Sequence, residues 1–478
     1  MSESIEARAE HYRSKLPTIG QEHLLRFWDE LDPEQRTALL DDLDAVDFDL
    51  VTRLIPTHVT DHTPAVTPET LMPPEVMPAT PDIDLVGRYA DAIKQGVGMI
   101  RQGMVAALTV AGGQGTRLGL DGPKGAFAIS PVRGKTLFQL FAEAVAATQL
   151  RYGGTVPWYI MTSPVNDAAT QKFFTDNDHF GLNPERILFF PQGVMPAFAP
   201  DGKILLDCKH RLALSPDGHG GTLRALAASG ALATMKSQGA EAISYFQVDN
   251  PLVKPIDPLF LGLTRITNAE MAAKVIPKAD DFERVGVVAQ ADGKTQVIEY
   301  SDLADELATA RDENGNRTFD AGSIAVHVLA RSFVERLTGG SEGLTLPWHR
   351  ASKKVAYTDE TGTRIEPDEP NAIKLETFIF DALPLAKKTL VLQTRREEEF
   401  SPVKNAEGGD SPETSRRDLN RRAARWLDSA GVNVPVRPDG EPDATLEISP
   451  LLALDPNQLR ERLPVRPDIQ PGASVYLD

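Results

Sequence analysis

The chain has 478 residues, 41% of them apolar and 25% charged, which suits two or three domains with buried cores. Its 68 acidic and 50 basic residues leave a formal net charge of -18. That balance excludes a general nucleic-acid binder, because a phosphate backbone needs a basic footprint, but it leaves an anionic small substrate open, since a few local cations can dominate inside a cleft.

Cys208 is the sole cysteine, so no intramolecular disulfide can form, and its setting GKILLDCKHR carries no nucleophile motif. The opening MSESIEARAEHYRSKL lacks the apolar core of a signal peptide, and no apolar run reaches bilayer length. A cytoplasmic protein with no membrane partner is expected.

In chain order, QEHLLRFWDEL and DPEQRTALLDDLDAV place Leu, Phe, Trp and Val at helical spacings, and Asp32-Pro33 is a helix start. The proline-rich stretch from Pro56 to Pro81 reads as an extended surface connector. From about residue 100 strands and helices alternate. MVAALTVA, VPWYIMTS, RILFFPQG and AISYFQVDN are the strand candidates; TLFQLFAEAVAATQL, a polar segment ending at KFF, and TLRALAASGALATMKS are the helices. This alternation implies a parallel sheet covered on both faces, with ligands beyond the carboxyl ends of its strands. After residue 385 the alternation fades, and a small β-rich or irregular terminal domain is expected. The division that follows is 1–98, 99–390 and 391–478, without internal repeats.

The strongest local feature is AGGQGTRLG, from Ala111 to Gly119, followed by Pro123-Lys124-Gly125. Glycines directly after a strand let backbone amides approach phosphate oxygens. Arg117 offers a planar fork and Lys124 a mobile point charge, a pair suited to a triphosphate. A purely structural turn would not need these cations. A dinucleotide fingerprint fails because Leu118 stands at the third glycine position, and a Walker loop fails because Ile129 stands five residues before Gly134-Lys135-Thr136.

VAGGQGTRLGLDGPKGAFAIS and KTLFQLFAE resemble the signature of eukaryotic-type UDP-N-acetylglucosamine pyrophosphorylases and their UDP-sugar pyrophosphorylase relatives. PWYIMTS, FFPQGVMPA, LSPDGHGGTLRAL, YFQVDNPLVK, VGVVAQADGKTQVIEYSD, FDAGSIAVH, PNAIKLETFIFD and EEEFSPVKNAEG resemble that family in the same order, over about 104 to 415. The resemblance implies an α/β fold: a Rossmann-like, GT-A-like nucleotidyltransferase domain between an N-terminal helical part and a small C-terminal β-rich domain. It also implies uridylyl transfer from UTP to a sugar-1-phosphate, with Mg²⁺ as cofactor and pyrophosphate released.

Residue by residue, Ala111, Gly112 and Gly113 resemble the segment lining the nucleotide. Gln192 resembles the uracil-reading glutamine, whose carboxamide matches the O4 and N3–H edge. Gly218 resembles a glycine touching the base, and Asp249 the metal-side aspartate, which suits an ion taking one or two carboxylates plus phosphate and water. Gly286 and Glu299-Tyr300 resemble sugar contacts. Phe378 and Phe380 resemble a sugar-pocket wall, although their spacing also fits one strand face in a core. Lys374 and Lys404 resemble phosphate-binding lysines. Arg117 is assigned to the β and γ phosphates, Lys124 to the α-phosphate and Lys404 to the incoming sugar phosphate.

Two positions depart from the acetamido-sugar enzymes: His219 and Ser323 stand where those usually carry Asn, both near the sugar. N-acetylglucosamine-1-phosphate is the expected substrate, with glucose- or galactose-1-phosphate as the alternative. A non-catalytic UDP-sugar sensor is disfavoured by the retained cations and Asp249, and an NAD(P)-linked oxidoreductase by the failed fingerprint.

Overall fold

The computed structural model describes residues 4–61, 70–340, 346–463 and 465–478. These fall into two compact units that interleave along the chain: 4–61, 192–224 and 346–379 form one, and 70–191, 225–340 and 380 onward form the other. This division cuts the chain differently from the three successive parts expected above.

The larger unit is built on a ten-stranded mixed sheet. Strands Val105–Val110, Trp158–Thr162, Ile187–Pro191 and Ala242–Gln247 pair in parallel, in the order 242–247, 105–110, 158–162, 187–191. These are the four expected strands. VAALTV and WYIMT are apolar apart from one threonine each and almost wholly buried, as befits strands covered on both faces. The sheet then turns antiparallel: strand Ala321–Ala330 runs against 242–247 and against Met271–Pro277. Helices Val86–Arg101, Leu137–Tyr152 and Pro258–Thr267 share the main core with these strands. The helix expected over TLRALAASGALATMKS is two helices, Gly221–Ala228 and Ala231–Ser237, broken where Gly230 takes a left-handed φ of +76°.

In the smaller unit, helix Pro33–Ala45 starts at Asp32 as expected, with a full capping box between Asp32 and Gln35. QEHLLRFWDEL forms two short 3₁₀ turns, Glu22–Leu25 and Trp28–Glu30, in place of one helix. The N-terminal helices bury Leu16, Leu39, Leu40 and Phe48 in one core with Phe198, Leu212 and Leu375. Asp42 fixes this packing: both its oxygens accept from the Arg211 guanidinium at 2.8 Å, and the Leu212 amide adds a bond of 2.9 Å.

The proline-rich stretch is not a plain connector where it is described. Residues Ile55–Thr60 wind into a π-helical turn, Leu71–Met72 joins the edge of the large sheet, and Met77 bridges to Leu392. Residues 62–69 of that stretch lie outside the described residues. The C-terminal part also differs from expectation. Its main element is the 18-residue helix Pro412–Ser429, with a second helix Pro456–Arg462 and a single pair of parallel strands, Ala444–Ile448 and Ala473–Leu477. The arginine-rich sequence hides this helix, because only one face of it is apolar: Leu419, Ala423, Trp426 and Leu427 are buried.

Helices 86–101 and 258–267 cross at two glycines. A Cβ on Gly262 would lie 1.7 Å from the Ala92 carbonyl oxygen, and one on Gly96 would lie 1.9 Å from that of Pro258. Gly262→Ala should therefore force the helices apart and cost about 1–3 kcal/mol, as overpacking does. Gly87→Ala, on helix 86–101, meets nothing within 4 Å and should be neutral or gain about 0.5–1 kcal/mol. Thermal denaturation of the two variants measures both; equal melting points would contradict the crossing.

Candidate functional site

The parallel pairing of 105–110 with 242–247 sets Val110 opposite Gln247, so both strands end together. The Val248 amide donates to Val110 O at 3.1 Å and continues the ladder. The glycine loop leaves one strand end and Asp249 leaves the other. Ala111 is buried, its amide donating to Met161 O at 2.7 Å. The buried Asn166 carboxamide holds Ala111 O at 2.9 Å and Gly113 O at 3.2 Å, while Gly112 is half-buried and Gly113 exposed.

The loop then closes on itself. The Gly115 amide donates to Gly122 O at 2.8 Å and the Lys124 amide to Gly113 O at 3.0 Å. This fold-back returns Lys124 to the strand ends, where its Nζ lies 3.9 Å from Asp249 Oδ2 and donates to Val403 O at 3.3 Å. Gly125 has a packing reason: a Cβ there would lie 2.2 Å from the Phe138 ring. Arg117 sits exposed on the 3₁₀ turn Thr116–Leu118, and its guanidinium has no partner among the described residues.

Asp249 also opens one cleft of about 470 Å³, shared with Gly286, Ser323 and Lys404. Its main chain carries the Lys404 segment, because the Val403 amide donates to Asp249 O at 2.8 Å. Lys404 is half-exposed, 3.5 Å from the Asp410 carboxylate. The Ser323 amide donates to Gly286 O at 2.8 Å, and its buried hydroxyl has no hydrogen-bond partner among the described residues. Glu299 lies beside Gly286, where an added Cβ would sit 3.4 Å from its Oε1; Tyr300 is half-exposed. No cluster of three or more His, Cys, Asp or Glu side chains able to hold a metal occurs among the described residues. A cation beside Asp249 would take this carboxylate as a ligand and the rest of its shell from substrate and water, as Mg²⁺ commonly does.

The remaining predicted residues except Phe380 belong to the smaller unit. Gln192 is buried, and its carboxamide makes no hydrogen bond among the described residues. Gly218 takes φ +85°, and a Cβ there would lie 2.3 Å from Thr377 O. His219 Nδ1 accepts the Ile379 amide at 3.1 Å, and its ring stacks on Phe378 at 5.2 Å. Lys374 stands in strand Ala372–Glu376, half-buried; burial holds its ammonium pKa below the ordinary value, with Glu376 opposing and Lys353 adding to the shift.

One expectation changes. Phe378 and Phe380 do not share a strand face. The strand ends at Glu376 because Thr377 is tied to the 217–220 loop, its amide donating to Asp217 O at 2.9 Å and its carbonyl accepting the Gly220 amide at 2.8 Å. Phe380 is buried in a 3₁₀ turn of the larger unit. His219 belongs to the smaller unit and Ser323 to the larger.

Asp217 escaped sequence reading. Its side chain is 2% exposed, its Oδ1 has no hydrogen-bond partner among the described residues, and Arg224 Nη1 lies 3.7 Å from Oδ2. Gly193 and Gly221 make room for it: added Cβ atoms would lie 2.6 and 2.1 Å from its oxygens. Burial pushes its pKa up to about 6, with Arg224 opposing. A glycine-flanked Asp is the sequence signal, but it reads equally as a turn residue.

A model of the UTP–glucose-1-phosphate uridylyltransferase family matches residues 62–409. Human UDP-N-acetylhexosamine pyrophosphorylase-like protein 1 is 40% identical, covering 94% of this chain and 93% of its own length. UDP-N-acetylglucosamine pyrophosphorylase of Saccharomyces cerevisiae is 41% identical, over 71% and 73%. Among solved structures, the uridine diphosphate N-acetylglucosamine pyrophosphorylase of Trypanosoma brucei superposes with a TM-score of 0.80 at 26% identity, over 100% of this chain and 99% of that one.

The buried carboxyl of Asp217 makes a pH prediction. A raised carboxyl pKa means that the folded state holds the proton longer than the unfolded state, so this group's contribution to stability falls as pH rises from about 4 to about 6. Asp217→Asn removes that loss. The stability of the variant relative to wild type should climb across this window, by up to roughly 3 kcal/mol, and stay level above it. Urea melts at several pH values measure the difference; a difference independent of pH would contradict a buried, titrating Asp217.

Proposed function

The chain belongs to the UTP–glucose-1-phosphate uridylyltransferase family, and from that membership we propose that it is a uridylyltransferase joining UMP from UTP to N-acetylglucosamine-1-phosphate. The observation that carries the chemistry is the meeting of the glycine loop, Lys124 and Asp249 at paired strand ends, with Lys124 Nζ 3.9 Å from Asp249. The acetamido sugar rests on the relatives of Homo sapiens and Saccharomyces cerevisiae, whose names specify UDP-N-acetylhexosamine and UDP-N-acetylglucosamine. Glucose- or galactose-1-phosphate remains the second reading, because His219 and Ser323 stand where acetamido enzymes usually carry Asn.

The reaction is one displacement at phosphorus. An oxygen of the sugar phosphate forms a bond to the α-phosphorus of UTP. The bond from that phosphorus to the bridging oxygen breaks, and its electron pair leaves with pyrophosphate. No covalent intermediate and no general base are needed, so the protein supplies position and charge. Lys124 faces the α-phosphate, where charge builds up. Arg117, exposed and unpartnered, takes the β and γ phosphates, and Lys404 holds the sugar phosphate. Gln192 and Gly218 read uracil, with Lys374 as a further phosphate ligand; Gly286, Glu299, Ser323, His219, Phe378 and Phe380 are assigned to the sugar.

Asp249 suits Mg²⁺ as a single-carboxylate ligand, and the bound ion would neutralise charge on the transferring and leaving phosphates. The single cysteine accords with work in the cytoplasm. No helix among the described residues is long and apolar enough to cross a membrane. UTP, sugar-1-phosphate and pyrophosphate are the only partners proposed.

The test is a panel of sugar-1-phosphates incubated with UTP and Mg²⁺ and assayed for pyrophosphate. N-acetylglucosamine-1-phosphate should give the highest kcat/KM. A preference for glucose- or galactose-1-phosphate would correct the sugar, and UDP-sugar binding without pyrophosphate release would overturn the enzyme in favour of a sensor.

A further inference from the structure

We propose that Asn250 is a positioning residue: its carboxamide sets the Lys404 segment against Asp249 and Lys124. The side chain is buried. Its Nδ2 donates to Glu399 O at 2.7 Å, and its Oδ1 accepts from the Ser401 amide at 3.1 Å and the Leu252 amide at 3.3 Å. One residue back, Asp249 O accepts the Val403 amide at 2.8 Å, and Val403 O accepts Lys124 Nζ at 3.3 Å. The carboxamide thus supplies the donor and acceptor that a neighbouring strand would otherwise give to residues 399–401. Lys404 follows directly from the pinned Val403 and lines the same cleft as Asp249 and Asn250.

The far end of the segment is fixed independently. Glu399 is buried, with Lys274 Nζ at 2.6 Å from Oε2 and Thr394 Oγ1 at 2.7 Å from Oε1. Lys274 also reaches Asp257 at 2.6 Å. Such a buried, fully bonded ionic group is a rigid anchor. Between this anchor and Lys404 the segment is held by Asn250 and by the Val403 amide, so a change at Asn250 should reach the chemistry through Lys404.

The inference rests on the proposed role of Lys404 as the sugar-phosphate ligand. Asn250→Asp keeps the size and the acceptor but sets an oxygen against Glu399 O in place of the amide donor. It should raise the sugar-1-phosphate KM and lower kcat, about tenfold together or more, while the UTP KM stays near wild type and the protein remains folded with a lowered melting point. Asn250→Ala should behave alike. In a Lys404→Ala background either change should cost little more, because residues acting through one another are not additive. Full additivity, unchanged kinetics, or an effect confined to the UTP KM would overturn the assignment. Hydrogen exchange on wild-type protein needs no variant and no turnover: the Ser401 and Val403 amides should be protected alike, and Ser401 exchanging at solvent rate would overturn the clamp. Wild-type protein that releases no pyrophosphate from UTP and any sugar-1-phosphate would instead overturn the proposed reaction, leaving the exchange result to judge the clamp.

Discussion

The register between strands 105–110 and 242–247 is the constraint on which the larger unit's chemistry depends. With Val110 opposite Gln247, the glycine loop and Asp249 must emerge side by side. A shift of one residue would turn each strand's side chains to the opposite faces and separate the two. Close packing on both buried faces makes such a shift costly, because every side chain would meet new neighbours. The fold-back of the loop then adds Lys124, and the 399–403 segment adds Lys404 by pairing with the main chain of Asp249.

Charge is handled in two ways. Deep in the larger unit, charges are paired within tight networks: Lys274 with Asp257 and Glu399, and Lys135 with Glu143 at 2.7 Å and the Tyr476 hydroxyl at 2.8 Å. Removing one member of such a pair strands the other in a low dielectric, which is severely destabilising. These networks also explain what the C-terminal part does structurally. Tyr476 shares Lys135, Glu447 accepts the Val132 and Arg133 amides at 2.8 Å, and Asp455 pairs with Arg151. On the glycine loop and just after it the cations are less committed: Arg117 has no partner among the described residues, and Lys124 stays 3.9 Å from its carboxylate. A chain of net charge -18 can bind anions this way, because only the local field inside a cleft decides.

The parallel half of the sheet was legible because its strands are short, apolar and ended by glycine or Asp, and the Asp32-Pro33 helix start was legible as a local pattern. The glycine loop and Asp249 were legible as segments leaving strand ends. Less was legible where tertiary bonds override local pattern. The Phe378 region leaves its strand path because Thr377 is bonded to Asp217, more than 150 residues away in sequence. Helix 412–429 hid behind its arginines. Asp217 and Asn250 look like turn residues in sequence, and only their burial and partners reveal more. The antiparallel half of the sheet was missed since pairing direction is set by long connections, not by strand composition.

The central claim is that the paired strand ends of the larger unit form the centre of phosphoryl chemistry, and the turnover of Lys124→Ala tests it most directly. The lysine is tied by one long ion pair and one carbonyl bond, so the fold should survive its loss with an unchanged melting point. The account predicts that pyrophosphate release from UTP and N-acetylglucosamine-1-phosphate falls about a hundredfold or more in kcat, the usual effect of removing a group that stabilises transition-state charge. A folded variant with near wild-type kcat would contradict it.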